Sequence, residues 1–335
     1  MPSHDAASRY ARFARDEAPG RSPVYEEWAR AVADSASACA VIDRLPANRR
    51  QPPLVFAVAR MLGARPLPGV PFVEWLVRHA DALVAEAARR SVQTNEPQRC
   101  AALVPALSLI EGPIALIEVG ASAGLCLQPD RYAYRYRGAA EVDLDPSGGS
   151  SVVLECEVRD SSVRGRGVPA LHLPEIVWRA GIDLAPLNAA DPSDRAFLTT
   201  LVWPGETGRE ARISAALDVA AADRPTIVAG DATDAGALEA LAARVPSGAT
   251  LVVSTPGVLP HVPFAGRQRM RAAIRDVGAR WVSLDPPGLE ASAGEGVDGA
   301  RWPGFVLGLD GHALAACDPL GGWLEWRNGS SRAAG

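Results

Sequence analysis

The sequence predicts an α/β fold, a doubly wound parallel sheet with a helical region before it and an antiparallel hairpin after it. Three observations carry that expectation. An apolar run, Ile114 to Ile117, reaches Glu118 and Val119 and enters a loop of small residues, Gly120-Ala121-Ser122-Ala123-Gly124; a helical pattern is expected from Leu125 to Tyr136, its end at Asp130 to Tyr136, with three tyrosines at alternating positions, being open to passing into a strand. Strand, glycine loop and helix in that order open a nucleotide-binding α/β unit. Strand-like and helical runs then alternate from Ile176 to Leu284, the pattern of parallel strands joined by helices. Residues 1–110, by contrast, carry apolar positions at helical spacing.

Within that first region, Ala7 to Glu17 is an amphipathic segment with Tyr10 and Phe13 on one face. Ser22-Pro23 starts a second helix: serine caps, proline takes the first helical position, and Glu26 and Glu27 suit the positive end. Leu54 to Leu62 is a short helix ended by Gly63, and Val70 to Arg90 reads as one long helix. His79 on its apolar face is expected to be a core histidine. The polar cluster Gln93 to Arg99 follows, where Thr94 or Asn95 is placed to cap a helix running from Glu96 to Ile110. The start of that helix is then expected near the glycine loop.

The loop itself has two chemical readings. Glu118-x-Gly120-x-Ser122-x-Gly124 resembles the first motif of S-adenosylmethionine-dependent methyltransferases, with Ser122 in place of the middle glycine. Gly120-x-Ser122-x-Gly124 also matches the nucleophile elbow of serine hydrolases. Glu118 favours the first. A carboxylate ending a buried strand is costly unless it is paired or bound, and beside an elbow it would oppose the developing oxyanion.

Downstream, residues 139–173 hold one strand-like run, Ser151 to Val158, among Gly/Ser- and Pro-rich turns, and read as an inserted hairpin. Ile176 to Asn188 reads as the second strand of the nucleotide-binding unit and delivers Asp183, the candidate for ribose hydroxyls. Glu155 and Glu157 on the nearer strand compete for that role. Pro225 to Asp231 is a strand ending in Gly-Asp, and Thr250 to Ser254 enters a Pro-rich loop with His261. Phe305 to Cys317 forms a hairpin on Asp310-Gly311, and Trp323 to Trp326 has the makings of another strand.

Composition excludes several classes. The chain has 335 residues, 48% apolar and 22% charged, with a formal net charge of -5, so no overall basic footprint for nucleic acid exists. All basic residues are arginine; chemistry needing a lysine, such as an imine or a P-loop, is excluded. Five scattered cysteines form no C-x-x-C pair, so neither a zinc site nor a disulfide framework is expected. No apolar run is long enough to span a bilayer, and the cytoplasm is the expected compartment.

Seven segments together carry a wider resemblance: Ser22-Pro23-x-Tyr25, Gln51-Pro52, Gln93-Thr94-Asn95-Glu96, Glu118 to Leu125, Asp130-Arg131-Tyr132, Arg179-x-Gly181-Ile182-Asp183-Leu184-x-Pro186 and Leu201-Val202-Trp203-Pro204. Over almost its whole length the chain resembles the uncharacterised bacterial group catalogued as domain of unknown function 2332. The resemblance implies a methyltransferase-like fold and supplies no reaction. The expected fold class is α/β with a Rossmann-like class I methyltransferase-type sheet. It comprises a helical cap over 1–110, the Rossmann-like domain over 111–327 with an insertion at about 137–175, and a disordered tail over 328–335.

The expected function is S-adenosylmethionine-dependent methyl transfer to a small molecule. Glu118, Gly120, Ser122, Gly124, Asp183 and Asp231 would bind the cofactor, Asp183 at the ribose and Asp231 on the adenine side. Asn95, Arg99 and Trp203 would bind substrate, entering between the cap and the sheet's carboxyl edge. His261 or Glu96 would serve as base. Two other classes stay open: a serine hydrolase using Ser122 with Asp285 and His312, and a non-catalytic binding protein of the same fold.

Overall fold

The computed structural model describes residues 6–66, 68–93, 95–160, 168–289, 297–299 and 301–327. The expected tail, 328–335, and most of the Gly/Ala/Glu-rich loop after Gly288 lie outside them. The chain divides into two units, Met1–Thr94 with Ala190–Ser214, and Asn95–Ala189 with Ala215–Gly335. The helical unit therefore ends sooner than residue 110 and gains a later segment.

Helices α1 (Ala6–Asp16), α2 (Pro23–Ala33), α3 (Ala36–Ile42), α4 (Pro52–Met61), α5 (Gly69–Arg78) and α6 (Ala80–Arg89) make up the first part of that unit. Ser22 caps α2 as expected, its Oγ accepting from Tyr25 N at 3.3 Å. The single helix expected from Val70 to Arg90 is broken at His79, whose ring Nδ1 bonds Trp75 O at 2.8 Å. The unit's core is aromatic: Tyr10, Phe13, Tyr25, Trp28, Phe56 and Phe72 are fully buried, and Trp28 stacks on Phe72 with centroids 3.7 Å apart.

The second unit is built on one sheet. Before it, residues 97–99 form a 3-10 turn that leads into α7 (Cys100–Leu107). The strands are β1 (Ile114–Val119), β2 (Ala133–Gly138), β3 (Val142–Leu144), β4 (Val153–Arg159), β5 (Ile176–Asp183), β6 (Thr226–Ala229), β7 (Thr250–Pro256), β8 (Arg280–Asp285), β9 (Phe305–Leu309), β10 (His312–Cys317) and β11 (Trp323–Trp326). Among the described residues four further helices follow: α8 (Pro192–Thr200), α9 (Arg209–Ala222), α10 (Ala235–Ala242) and α11 (Phe264–Asp276). The sheet has eleven strands in the order β3-β2-β4-β11-β10-β9-β8-β7-β1-β5-β6 and is mostly parallel.

Five strands, β6-β5-β1-β7-β8, run parallel side by side. Numbered by their order in the chain they stand 3-2-1-4-5, the doubly wound arrangement. The chain moves outward from β1 to β5 and β6, then returns to β7 on the other side. The switch point thus lies between β1 and β7, and a ligand crevice is expected outside their carboxyl ends. All six β1 residues are buried, as a strand covered on both faces should be.

On one face, Ile117, Val119, Ala180, Ile182 and Val253 meet Leu238 and Leu241 of α10 and Met270, Ala273 and Ile274 of α11. On the other lies α7, apolar enough to be buried along its whole length. It touches β4, β8 and β9.

Two expectations are corrected on the far half of the sheet. The helix expected from Leu125 to Tyr136 is a single 3-10 turn, Leu125–Leu127, followed by β2. Pro129 cannot continue a helix interior, and Tyr132, Tyr134 and Tyr136 alternate at strand period. Their buried hydroxyls donate to Leu125 O at 2.8 Å, Pro129 O at 2.6 Å and Ala101 O at 2.9 Å. The insertion is also no separate hairpin: β2 and β3 pair antiparallel, but β2 and β4 pair parallel and β4 joins β11, extending the main sheet. The hairpin β9-β10 forms as expected, with Asp310 at φ 51 and Gly311 at φ 81.

Candidate functional site

The switch point gathers most of the residues singled out from sequence. β1 ends at Glu118-Val119 and is flanked by β5, with Val119 opposite Ile182, and by β7, with Glu118 opposite Ser254. β5 is the second strand, so Asp183 stands at its carboxyl end beside the loop. Glu155 and Glu157 lie on β4, in the other half of the sheet.

The loop is held by its neighbours. Gly120 and Gly124 sit at φ 73 and 77, where a side chain is strained. A Cβ on Gly120 would lie 2.7 Å from Val258 Cγ2, and one on Gly124 2.7 Å from Pro225 Cγ. The glycines thus admit close approach of the β7 loop and of the segment entering β6. The side of each glycine that a Cβ would occupy is thus filled by protein.

Asp183 is part of the same scaffold. Its Oδ2 accepts from Ser122 N at 2.8 Å and its Oδ1 from Ala185 N at 2.8 Å. Ser122 O accepts from Leu187 N at 3.1 Å. Arg179 on β5 donates to Leu127 O at 2.9 Å and forms a two-pronged pair with Asp130, both contacts 2.9 Å. That pair fixes the segment after the loop, where no helix does so. Asp231 follows β6, exposed, with Oδ1 accepting from Thr233 N at 2.8 Å.

The inner side of the loop, toward α7, is different. Val119 and Ile117 belong to the α10–α11 core, so the alternating Glu118 points to the opposite, α7 side. Ser254, its register partner, shares that face. Four side-chain atoms around this point are buried without a hydrogen-bond partner: Glu118 Oε2, Ser254 Oγ, Ser122 Oγ and Asn95 Nδ2. Asn95 Oδ1 accepts from Leu125 N at 3.3 Å, which ties Asn95 to the loop. Burial pushes the Glu118 carboxyl well above the usual carboxylate range; Cys126 and Asp183 add to this, and the Arg99 guanidinium opposes it. Native structures leave few buried polar atoms unpaired, and here four belong to residues on β1, β7, the loop after β1 and the segment before α7.

Other expected site residues have structural partners. Glu96 is fully buried and caps the turn that precedes α7, its Oε1 accepting from Gln98 N at 3.1 Å. Capping is the role this contact gives it. Arg99, 8% exposed, donates to Pro256 O at 2.9 Å and Pro319 O at 3.1 Å, stapling the start of α7 to the end of β7. Trp203 belongs to the helical unit, where its ring lies 5.2 Å from Phe13 and under the Arg21 guanidinium at 3.8 Å. It is a core residue of that unit. His261 is exposed on a 3-10 turn, Leu259–His261, whose first N–H donates to Asp285 Oδ1 at 3.0 Å.

The Ser122–Asp285–His312 grouping is not assembled. Ser122 Oγ has no partner. Asp285 ends β8 at the carboxyl edge, whereas His312 opens β10, which runs parallel to β8 through the antiparallel β9 and so starts at the opposite edge. Sequence reading missed Ser254 and the Arg179–Asp130 pair. A serine directly after the apolar run Leu251 to Val253 was the available signal for the first.

These features define a mixed α/β protein with a buried polar cluster at the switch point of its sheet. The chain belongs to the family described as "Uncharacterized protein conserved in bacteria (DUF2332)", whose model matches residues 7–68 and 67–326. Neither a curated protein nor a solved structure matches it. Among the described residues, no helix is long and apolar enough to cross a membrane.

Proposed function

We propose that the protein is an S-adenosylmethionine-dependent methyltransferase acting on a small molecule, its second unit being a Rossmann-like class I methyltransferase-type domain. The observation that carries this reading is the placement of Asp183. It ends the second strand of a 3-2-1-4-5 sheet and bonds the backbone of the loop that leaves the first, the position from which a carboxylate reaches ribose hydroxyls. Each of its oxygens accepts one backbone N–H and retains a lone pair. Asp231, exposed at the end of the third strand, would take the adenine side.

The fit of the group rests on the same loop. A dinucleotide would set its pyrophosphate on a helix N-terminus, but here Gly124 leads only into the 3-10 turn Leu125–Leu127. A nucleoside cofactor without phosphate suits that geometry better, and the buried Ser122 Oγ and Glu118 Oε2 leave polar atoms to meet it. When bound, S-adenosylmethionine would supply an electrophilic methyl group on a sulfonium. The chain's part is then to orient and to exclude water, with His261 as the accessible base. The serine hydrolase reading draws no support, because Ser122 Oγ is buried and has no imidazole partner.

Calorimetric titration of the full chain with S-adenosylmethionine, S-adenosylhomocysteine and NAD tests the reading. The first two are expected to bind and NAD not to. Binding of NAD alone, or of none of the three, would sink it.

A further inference from the structure

We propose that the free edge of β6 pairs with β6 of a second copy of this chain, antiparallel across a twofold axis, so that the two sheets become one. This goes beyond the cofactor reading and does not need it.

The eleven-stranded sheet ends at β3 on one side and at β6 on the other. An uncovered edge offers a row of unpaired N–H and C=O groups to another strand, and chains that stay apart guard it with charge, proline or short strands. β3 is guarded. It is three residues long, Val142-Asp143-Leu144, with Glu141 before it and Asp145-Pro146 after it. β6 is not guarded: Thr226-Ile227-Val228-Ala229 holds no charge and no proline. Among the described residues it pairs with β5 alone, and Thr226 and Ala229 are exposed.

The backbone fixes which groups are on offer. Gly230 N donates to Asp183 O at 2.9 Å, toward β5. Backbone groups alternate sides along a strand, so Thr226 and Val228 face β5 with Gly230, whereas Ile227 and Ala229 face outward. Pro225, the outward position before them, has no N–H to leave unpaired there.

In one register these groups are their own complement. With Val228 on the twofold axis, Ile227 of each copy lies opposite Ala229 of the other, and each such pair exchanges two hydrogen bonds. Pro225 then falls opposite Asp231, whose C=O already accepts Asp234 N at 3.0 Å; the missing donor stands opposite an acceptor already in use. Val228, half-buried against the α10–α11 core of its own copy, meets the second Val228 where side chains approach most closely. The second copy is thus the occupant this edge fits. Twofold pairing uses both β6 edges and closes the assembly at a dimer, and so short a strand makes that dimer a reversible one.

Sedimentation velocity on the full chain over a hundredfold range of concentration tests the pairing. Wild type is expected to pass reversibly from monomer to dimer. Ala229→Pro removes an outward N–H and no bond to β5; it is expected to weaken dimerisation at least tenfold, with melting curves showing that it is folded. Cysteines read the register. Val228→Cys sets two thiols at the axis on Cα atoms about 4.5 Å apart, within disulfide range, and oxidised glutathione is expected to link it into covalent dimers. Thr226→Cys, on the same face but away from its own copy, is expected to stay unlinked, as is wild type, whose five cysteines are buried. A monomer at every concentration, a dimer indifferent to Ala229→Pro in folded protein, or equal cross-linking of the two cysteine variants would overturn the proposal.

Discussion

Two carboxylates one strand apart, Asp183 and Glu118, show how differently one sheet edge treats the same chemical group. Asp183 is half-buried and accepts a backbone N–H at each oxygen. Glu118 is 3% exposed and keeps an oxygen without a partner. The outer side of the loop is thus a finished scaffold, with Asp183 and the Arg179–Asp130 pair holding it in shape. The inner side retains hydrogen-bonding capacity that the protein itself does not fill. Scaffold residues should report mainly in stability, and inner residues mainly in binding and in pH dependence.

The largest effect is expected at Arg179. Its side chain is 8% exposed and that of Asp130 15%, with two-pronged geometry. Asp130 keeps a contact with Arg131 at 3.3 Å, so the cost of removing Arg179 should be about 3 kcal/mol, the low end for breaking a buried pair. Arg179→Ala should lower the denaturation midpoint accordingly. A loss under about 1 kcal/mol would mean the pair is screened like a surface contact and the loop is held by something else.

Asp183→Ala comes next. It removes two charge-assisted acceptor bonds and should cost about 2 kcal/mol of stability. It should also weaken S-adenosylhomocysteine by about 1–3 kcal/mol, the usual penalty for unsatisfied hydroxyl partners. Glu155→Ala and Glu157→Ala, on the other half of the sheet, should leave both unchanged. If either of them weakens the ligand instead, the ribose role belongs elsewhere.

Glu118→Gln sharpens the comparison through pH. The folded-state pKa of Glu118 lies well above the unfolded value because of burial. Between those two values the folded state holds the proton and the unfolded state does not, so stability falls as pH rises above about 4.3 and levels off past the folded value. Glutamine removes that slope. The stability of Glu118→Gln relative to wild type should therefore climb with pH above about 4.3, in urea melts over a pH series. Parallel curves would show that Glu118 is ionised and paired in the empty protein.

The parallel half of the sheet was legible in the sequence because its signals are local. Apolar runs ending in Glu118, Asp183 and Asp231 marked the ends of β1, β5 and β6. The far half was not, because pairing of β4 with β11 joins Glu157 to Trp323, a contact no local pattern encodes. The three tyrosines carried the right period for β2 and left a strand open there, but a helix was expected before it because a glycine loop usually precedes one. At the site, Glu118 and Ser122 stood out by type. Arg99 and Glu96 also stood out, but as polar residues at a helix start they serve capping and stapling, and only the register of β1 and β7 reveals Ser254 as Glu118's neighbour.

The smallest effect, and the one that separates two enzyme classes, is expected at Ser122. Its φ of 52 makes it a rare non-glycine residue in left-handed conformation, a strain of roughly 1–2 kcal/mol that glycine removes. Glycine also raises the entropy of the unfolded chain, which costs about 0.5–1 kcal/mol. The two nearly cancel, so Ser122→Gly should keep wild-type stability to within about 1 kcal/mol. The Asp183 bond goes to the backbone N–H and survives the change. Only the hydroxyl is lost, and one neutral hydrogen bond contributes roughly 0.5–1.5 kcal/mol, so S-adenosylhomocysteine affinity should stay within about tenfold. A nucleophile behaves otherwise. Were Ser122 one, a fluorophosphonate probe would label wild type and not the variant, and turnover of an ester would fall by several orders of magnitude. With Ser122 2% exposed, its Oγ buried, and His312 at the opposite edge of the sheet, labelling of neither protein is expected.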